Sequence, residues 1–299
     1  MYNTIRSLLP EGLVQQEVPM AGYTSFDIGG PAEVLVMPKN AIELTAVWNT
    51  CHLQGFPITI LGGGNNVLVA DNGIRGVVVV TKHMDEITVD GNKITAGCGT
   101  KLAKLAETAC KAGLSGLEFA HGIPGTVGGA IVMNAGAYDG EIKDVCTSVI
   151  AVSPKLDVAI FSHEELALGY RTSRFQTEPA VIVEACFELT PKDQKEIRAR
   201  MDELKTKRRE KQPIDKRSAG STFKRPKQEG IYAAKLIDDC GLKGFTIGGA
   251  QVSEKHSGFV INTGNATSQD VLDIMKAIME KVHAASGIWL EPEVQFLGF

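Results

Sequence analysis

The sequence predicts a mixed α+β fold, and three observations carry the prediction. Strand-like and helix-like segments alternate along the chain without an internal repeat. Two segments, Lys101–Ala112 and Gln269–Ala284, place apolar residues at helical spacing. The chain is 299 residues long, which at the usual domain size corresponds to two domains or three.

The N-terminal twenty residues read as a short helix and a lead-in. The segment AGYTSFDIGGPAEVLVMP then combines a Gly29-Gly30-Pro31 turn with a strand over Glu33–Met37. A helix follows over Ala41–Leu53, expected to bury Ile42, Trp48 or their neighbours. PITILGGGNNVLVAD reads as an apolar strand broken at Gly62–Gly64 and resumed at Val67–Val69, with another strand at Gly76–Val80. Between two alternating segments lies Asp90-Gly91-Asn92, a hairpin signal. In the helix over 101–112, Leu102, Leu105, Ala106 and Ala109 share a face, and Gly113 ends it. The preceding TAGCGTKL contains a GxG but has Leu102 where a third glycine would open a dinucleotide-binding helix, so a Rossmann reading is not favoured.

Gly122–Ala137, GIPGTVGGAIVMNAGA, holds five glycines and no charge. Glycine is costly to order, so such a run implies close approach of another group to the backbone, either a ligand or the protein itself. Strands follow at Val145–Ser153, Val158–Ser162 and Ala180–Leu189, then a charged helix from Lys192 to about Lys211. The last third reads as a polar loop SAGSTFKRP, a helix Tyr232–Cys240, two strands within FTIGGAQVSEKHSGFVIN, the amphipathic helix Gln269–Ala284 and a terminal strand.

Bulk properties narrow the function. The net charge of −4 argues against a general nucleic-acid binder. No apolar run reaches the ~20 residues of a membrane span, and the N-terminus lacks the pattern of a signal peptide. Six scattered cysteines without a CxxC pair read as reduced thiols of a cytoplasmic protein, and neither a metal site nor a disulfide framework is suggested. No exposed heptad is evident, so a monomer is expected.

DIGGPA, LGGGNNVLV and GIPGTVGGAIVMNAGA together resemble the FAD-binding domain of vanillyl-alcohol-oxidase (PCMH) type flavoproteins. GYRTSRF, SAGSTFKRP, GAQVSEKHSGFVIN and LEPEV follow in the order seen in the UDP-N-acetylenolpyruvoylglucosamine reductases, the MurB family of peptidoglycan precursor synthesis. The resemblance covers essentially the whole chain. It implies an FAD-binding region of two subdomains, 1–80 (joined by a terminal strand within 288–299) and 81–212, and an α+β substrate-binding domain at 213–287.

It also implies non-covalent FAD, NADPH as co-substrate, and hydride transfer to the enolpyruvyl group of UDP-GlcNAc-enolpyruvate. The cofactor would be held by Gly62, Gly63, Gly64, Asn65 and Asn66, by Gly122, Ile123, Pro124, Gly125, Thr126, Gly128 and Gly129, and by Asn134, Ala135 and Gly136. Arg171 would clamp the substrate carboxylate. Glu293, its pKa raised by burial, would stabilise the enol, and Ser221 would deliver a proton to carbon. Tyr170, Lys211, Lys224 and Gln251 are second-rank substrate or NADPH contacts. From the residues alone, Arg174, Thr222 and Glu291 are rivals to the three catalytic assignments. His256 reads as a structural hydrogen-bonding residue.

The chain departs from the family pattern at Arg225, where Asn is usual, and at Asn65, where Ser is common. No tyrosine lies between Arg171 and Ser221, which places the chain with the shorter subgroup that lacks a substrate-covering tyrosine loop. Two other functions fit parts of the pattern. One is an oxidase of the wider flavoprotein superfamily, for which His121 would be the residue to watch as a covalent flavin attachment. The other is a nucleotide-sugar-binding protein without catalysis.

Overall fold

The structure, a computed structural model, describes every residue except Pro179. The chain divides into two compact units. The first comprises Met1–Gln16, Val34–Gly63 and Gly76–Lys207, and the second Glu17–Glu33, Gly64–Arg75 and Arg208–Phe299. Each has its own apolar core.

The first unit is built on two sheets. One runs in the order Val14–Pro19, Pro31–Val36, Ile74–Val80, Ile58–Leu61, and its last two strands are parallel. The other is antiparallel, in the order Val158–Ser162, Cys146–Val152, Val181–Glu188, Lys93–Gly97, Ile87–Asp90. Its hairpin turns at Gly91-Asn92, with Asp90 opposite Lys93 as the Asp-Gly signal implies. The helix Leu102–Lys111 buries Leu102, Leu105, Ala106 and Ala109, and Gly113, at φ +68°, follows its end.

The structure adds two details to the sequence reading. The helix Ala41–Gln54 buries Leu44, Val47, Trp48 and Cys51, but Ile42 is 82% exposed. Ile42 lies in the first turn, outside the stripe that faces the sheet. The glycine-dense segment 122–137 is not loop throughout: Val127–Val132 is helical, and Gly128 and Gly129 lie in its first turn. Gly128 is glycine because Cys98 crosses it, the Cβ of Cys98 lying 3.1 Å from where a side chain would begin. Internal packing therefore accounts for that glycine.

The second unit contains an antiparallel sheet in the order Arg217–Ser218, Val260–Asn262, Ala250–Val252, Thr246–Ile247. Against its core lie Val271, Ile274, Met275, Ile278 and Val282 of the helix Ser268–Ser286. The strand Val67–Val69 does not continue Ile58–Leu61 but pairs in parallel with the terminal strand Gln295–Leu297. The C-terminus is thereby tied into the body of this unit.

The helix Ser268–Ser286 starts with a capping box. Thr267 accepts from the Asp270 N–H at 3.0 Å, and the Asp270 carboxylate accepts from Thr267 N–H at 3.0 Å and Gly249 N–H at 3.1 Å. These backbone donors hold the Asp270 pKa below the ordinary carboxylate value. Because the folded value lies below the unfolded one, the stabilisation is complete above the unfolded pKa of about 4 and is lost as pH falls through the folded value. Thermal melts of Asp270→Asn against the parent should therefore show a deficit at pH 7 that narrows at pH 3. A deficit independent of pH would mean that the charge is not what caps the helix.

All six cysteines are free, four of them buried. Burial pushes the Cys98 and Cys146 thiols up to about 12 and Cys51 to about 11, which makes them inert packing groups. Among the described residues, no helix is long and apolar enough to cross a membrane.

Candidate active site

Within the first unit, two glycine-rich segments meet. Gly62 and Gly63 end the strand Ile58–Leu61. A side chain at Gly62 would strike Thr126 Oγ1 at 2.3 Å and would lie 3.8 Å from the Gly129 nitrogen. Thr126 caps the helix Val127–Val132 by position, yet its hydroxyl makes no cap bond and has no hydrogen-bond partner although it is buried. The N–H groups of Gly125 and Gly129 also lack an acceptor among the described residues.

The same holds in the segment that opens the second unit. Gly64, Asn65 and Asn66 lead into Val67–Val69, and no described residue accepts from their N–H groups, nor from those of Gly62 and Gly63. Gly64 has φ +64°, and its carbonyl receives the Ser25 N–H at 2.9 Å. Successive N–H groups without a protein acceptor, in a run with no carboxylate, are donors suited to a phosphate anion. The donor set fits the diphosphate of FAD.

The first unit also joins GIPGTVGGAIVMNAGA to GYRTSRF. Arg171 donates from Nη2 to the Gly136 carbonyl at 3.1 Å and from Nη1 to the Asn134 carbonyl at 3.4 Å. Its guanidinium lies 5.1 Å from the ring centroid of Tyr170, which is itself 48% exposed. Arg171 has φ +54°, an uncommon conformation for arginine that no motif in the sequence signalled. Its rival Arg174 is engaged otherwise: it pairs with Glu178, donates to the Glu165 carbonyl at 2.9 Å and stacks 4.4 Å over Phe161. Asn134, predicted near the flavin, is fully buried. Its amide donates to the Gly169 carbonyl at 2.8 Å and to Glu141 at 3.1 Å, and its oxygen accepts from Lys143 N–H at 2.9 Å. These bonds occupy its side chain inside the protein.

The second unit brings together three motifs far apart in sequence. Phe223 and Pro292 form an antiparallel bridge, flanked by Glu293 N–H to Thr222 O at 2.9 Å and Lys224 N–H to Glu291 O at 2.9 Å. On the other side of Glu293, its carbonyl accepts from Asn66 Nδ2 at 3.1 Å, and Gln295 N–H donates to Asn66 O at 2.9 Å. LGGGNNVLV, SAGSTFKRP and LEPEV are thus stitched into one frame with Glu293 at its centre.

Neighbouring candidates here differ in bonding and burial. Thr222 is buried, and its hydroxyl accepts the Val260 N–H at 2.9 Å, a structural duty. Ser221 is half-buried, and no described residue bonds its hydroxyl. Glu291 is exposed and lies 3.8 Å from Lys224, whereas Glu293 is half-buried.

The remaining predicted contacts are less gathered. Gln251 lies mid-sheet and donates to Thr246 Oγ1 at 3.2 Å, and Lys211 is exposed at the end of its helix. Arg225 stacks over Tyr232 at 4.7 Å. His256 accepts the Gly258 N–H at 3.2 Å and packs edge-on to Phe259, and burial pushes its pKa down. His121 is also held below its usual value, chiefly by burial. A recess of about 210 Å³ lined by Lys243, Lys255 and His256 contains none of the predicted catalytic, cofactor or substrate residues. Its lysines are spoken for: Lys243 pairs with Asp238, and Lys255 donates to the Arg209 carbonyl.

Two family models match the sequence. The FAD binding domain matches residues 32–157, and the C-terminal domain of UDP-N-acetylenolpyruvoylglucosamine reductase matches residues 212–297. The reductase of that name from Clostridium novyi is 46% identical over 98% of this chain and 95% of its own. The one from Caldanaerobacter subterraneus is 46% identical over 100% of this chain and 98% of its own. The chain belongs to the UDP-N-acetylenolpyruvoylglucosamine reductase family. Its fold agrees with that of a solved family member from Thermus caldophilus, at a TM-score of 0.82 and 34% identity over 95% of this chain and 98% of the other. The mixed α+β class and the separate C-terminal part are those of the family.

Proposed function

We propose that this protein is the FAD-dependent UDP-N-acetylenolpyruvoylglucosamine reductase that its relatives are named for, using NADPH to reduce UDP-GlcNAc-enolpyruvate to UDP-N-acetylmuramate in peptidoglycan precursor synthesis. Full-length similarity to reductases of that name carries the reading. The framing of Glu293 between Thr222 and Asn66 supports it from the geometry.

When bound, FAD supplies the chemistry that accepts a hydride from NADPH and delivers it to the enolpyruvyl carbon. In the first unit the N–H groups of Gly62, Gly63, Gly125 and Gly129, and in the second those of Gly64, Asn65 and Asn66, would be the donors for the diphosphate. Arg171 receives the substrate carboxylate, for which a planar guanidinium is the suitable donor. As negative charge develops on the enolate oxygens, Arg171 and the protonated Glu293 stabilise it. Ser221 gives its proton to the neighbouring carbon. Tyr170, Lys211, Lys224 and Gln251 serve the anionic substrates at the margins of the site. We read the protein as a cytoplasmic monomer with free thiols, and its parts as two FAD-binding subdomains and a substrate-binding domain, 213–287.

The test is anaerobic. Purified protein carrying flavin is bleached with one equivalent of NADPH and then mixed with UDP-GlcNAc-enolpyruvate. The flavin absorbance should return with formation of one equivalent of UDP-N-acetylmuramate. Flavin that stays reduced after substrate is added would overturn the assignment.

A further inference from the structure

We infer that Asn134 and Gln176 are positioning residues for Arg171, an inference that rests on the carboxylate-binding role proposed for that arginine. Arg171 reaches two main-chain carbonyls, those of Asn134 and Gly136. Its placement therefore depends on where the segment 132–136 lies relative to the segment 169–176. Three side-chain bonds set that relation, and a fourth ties Gln176 to the main chain of Arg171. Asn134 Nδ2 donates to the Gly169 carbonyl at 2.8 Å. Ser173 Oγ donates to the Val132 carbonyl at 2.8 Å, and Gln176 Nε2 to the same carbonyl at 2.9 Å. Gln176 Nε2 also donates to the carbonyl of Arg171 itself at 3.0 Å.

The backbone explains why such a latch is needed. Arg171 has φ +54° and Asn134 has φ +39°. Left-handed residues other than glycine persist only where surrounding bonds over-determine them. Asparagine tolerates this region because its short amide bonds locally. At Asn134 the side chain fixes the residue whose carbonyl meets the guanidinium. At Arg171, Gln176 and the reciprocal Gly169–Thr172 bonds, at 3.1 and 3.3 Å, fix the main chain from which the guanidinium extends. Both ends of the arginine are thus anchored before any substrate arrives, which preorganises a bidentate carboxylate site.

Neither residue touches reacting atoms in this assignment, so loss of either should act through Arg171 alone. Gln176 is exposed, and Gln176→Ala is the gentler variant. Asn134→Ser is the stronger one. Gln176→Ala should leave flavin reduction by NADPH within about twofold of the parent. Both variants should weaken binding of UDP-GlcNAc-enolpyruvate to the oxidised enzyme and slow reoxidation of the reduced flavin by about 10- to 100-fold, as a displacement near 1 Å does.

The deciding measurement repeats both substitutions in an Arg171→Ala background. There they should change reoxidation by less than about twofold, the non-additivity of residues acting as a unit. Full additive slowing in that background, or no slowing of either single variant, would overturn the inference even with Arg171→Ala impaired. If Arg171→Ala itself reoxidises at the parent rate, the carboxylate role fails and the positioning role falls with it. Should Asn134→Ser fail to fold, Gln176→Ala decides alone.

Discussion

Replacing Ser221 by alanine is expected to leave the reduction of flavin by NADPH nearly unchanged while slowing reoxidation by UDP-GlcNAc-enolpyruvate about 10²- to 10⁴-fold, the range for loss of a positioned general acid. The geometry makes the expectation specific to this serine. Its neighbour Thr222 cannot stand in, because the Thr222 hydroxyl is buried and already accepts the Val260 N–H at 2.9 Å. Thr222 also receives Glu293 through its carbonyl, so the loop should keep its shape when Ser221 is truncated. A hydroxyl is a weak acid, and its proton transfer needs stabilising surroundings. The half-buried Glu293, held across the bridge on the Thr222 carbonyl, lies in the same frame. Single-turnover absorbance traces of the two half-reactions separate the outcomes. Equal slowing of both would remove Ser221 from the proton-transfer role and point to damage of the flavin site. A Thr222→Val variant, by contrast, should cost stability by leaving the Val260 N–H without its acceptor.

The second large effect is expected at Gly64. The residue has φ +64°, and a Cβ there would lie 2.0 Å from the Tyr23 carbonyl oxygen and 3.0 Å from the Thr24 Cα. The left-handed backbone alone costs a residue with a Cβ about 1–2 kcal/mol. The overlap cannot be relieved by turning a side chain, since the obstructing atoms are backbone. Either the 23–25 segment moves, breaking the 2.9 Å bond from Ser25 N–H to the Gly64 carbonyl, or the Gly64–Asn66 donors turn away. Both outcomes damage the cofactor cradle. Gly64→Ala should therefore purify with most of its flavin lost and melt several degrees below the parent. Added FAD should not restore the parent melting temperature. Full flavin content with an unchanged melt would mean that the strand entry relaxes freely and that this run is not the diphosphate cradle. Gly91, which also has φ +58° but meets nothing within 4 Å, serves as the comparison: alanine there should bear only the conformational cost.

Much of the fold was legible because its signals are local. The helix face at Leu102, Leu105, Ala106 and Ala109, the Asp90-Gly91 turn and the stripe through Val271, Ile274 and Ile278 depend on spacing within one element. The exposure of Ile42 and the helix within 122–137 were out of reach of the sequence for one reason. Burial of a helix's first turn and the helicity of a glycine-rich segment depend on what crosses them, here the sheet under Ala41–Gln54 and Cys98 over Gly128. The pairing of Val67–Val69 with Gln295–Leu297 was equally out of reach, since two short apolar segments more than two hundred residues apart carry no register information.

For the site, residue types and motif order alone determined the family, the cofactor class and a short list in which each catalytic candidate had a neighbour of the same kind. Serine beside threonine, glutamate beside glutamate and arginine near arginine are chemically degenerate in sequence. What only the tertiary structure supplies is the surroundings of each: Thr222 with Val260, Arg174 with Glu178 and Phe161, Arg171 with the Asn134 and Gly136 carbonyls, Glu291 near Lys224 in solvent. The left-handed turn at Arg171 and the latch through Asn134 and Gln176 were likewise tertiary facts. A backbone conformation that propensity disfavours is chosen only when hydrogen bonds from distant segments outweigh its cost, and such bonds exist only once the chain has folded.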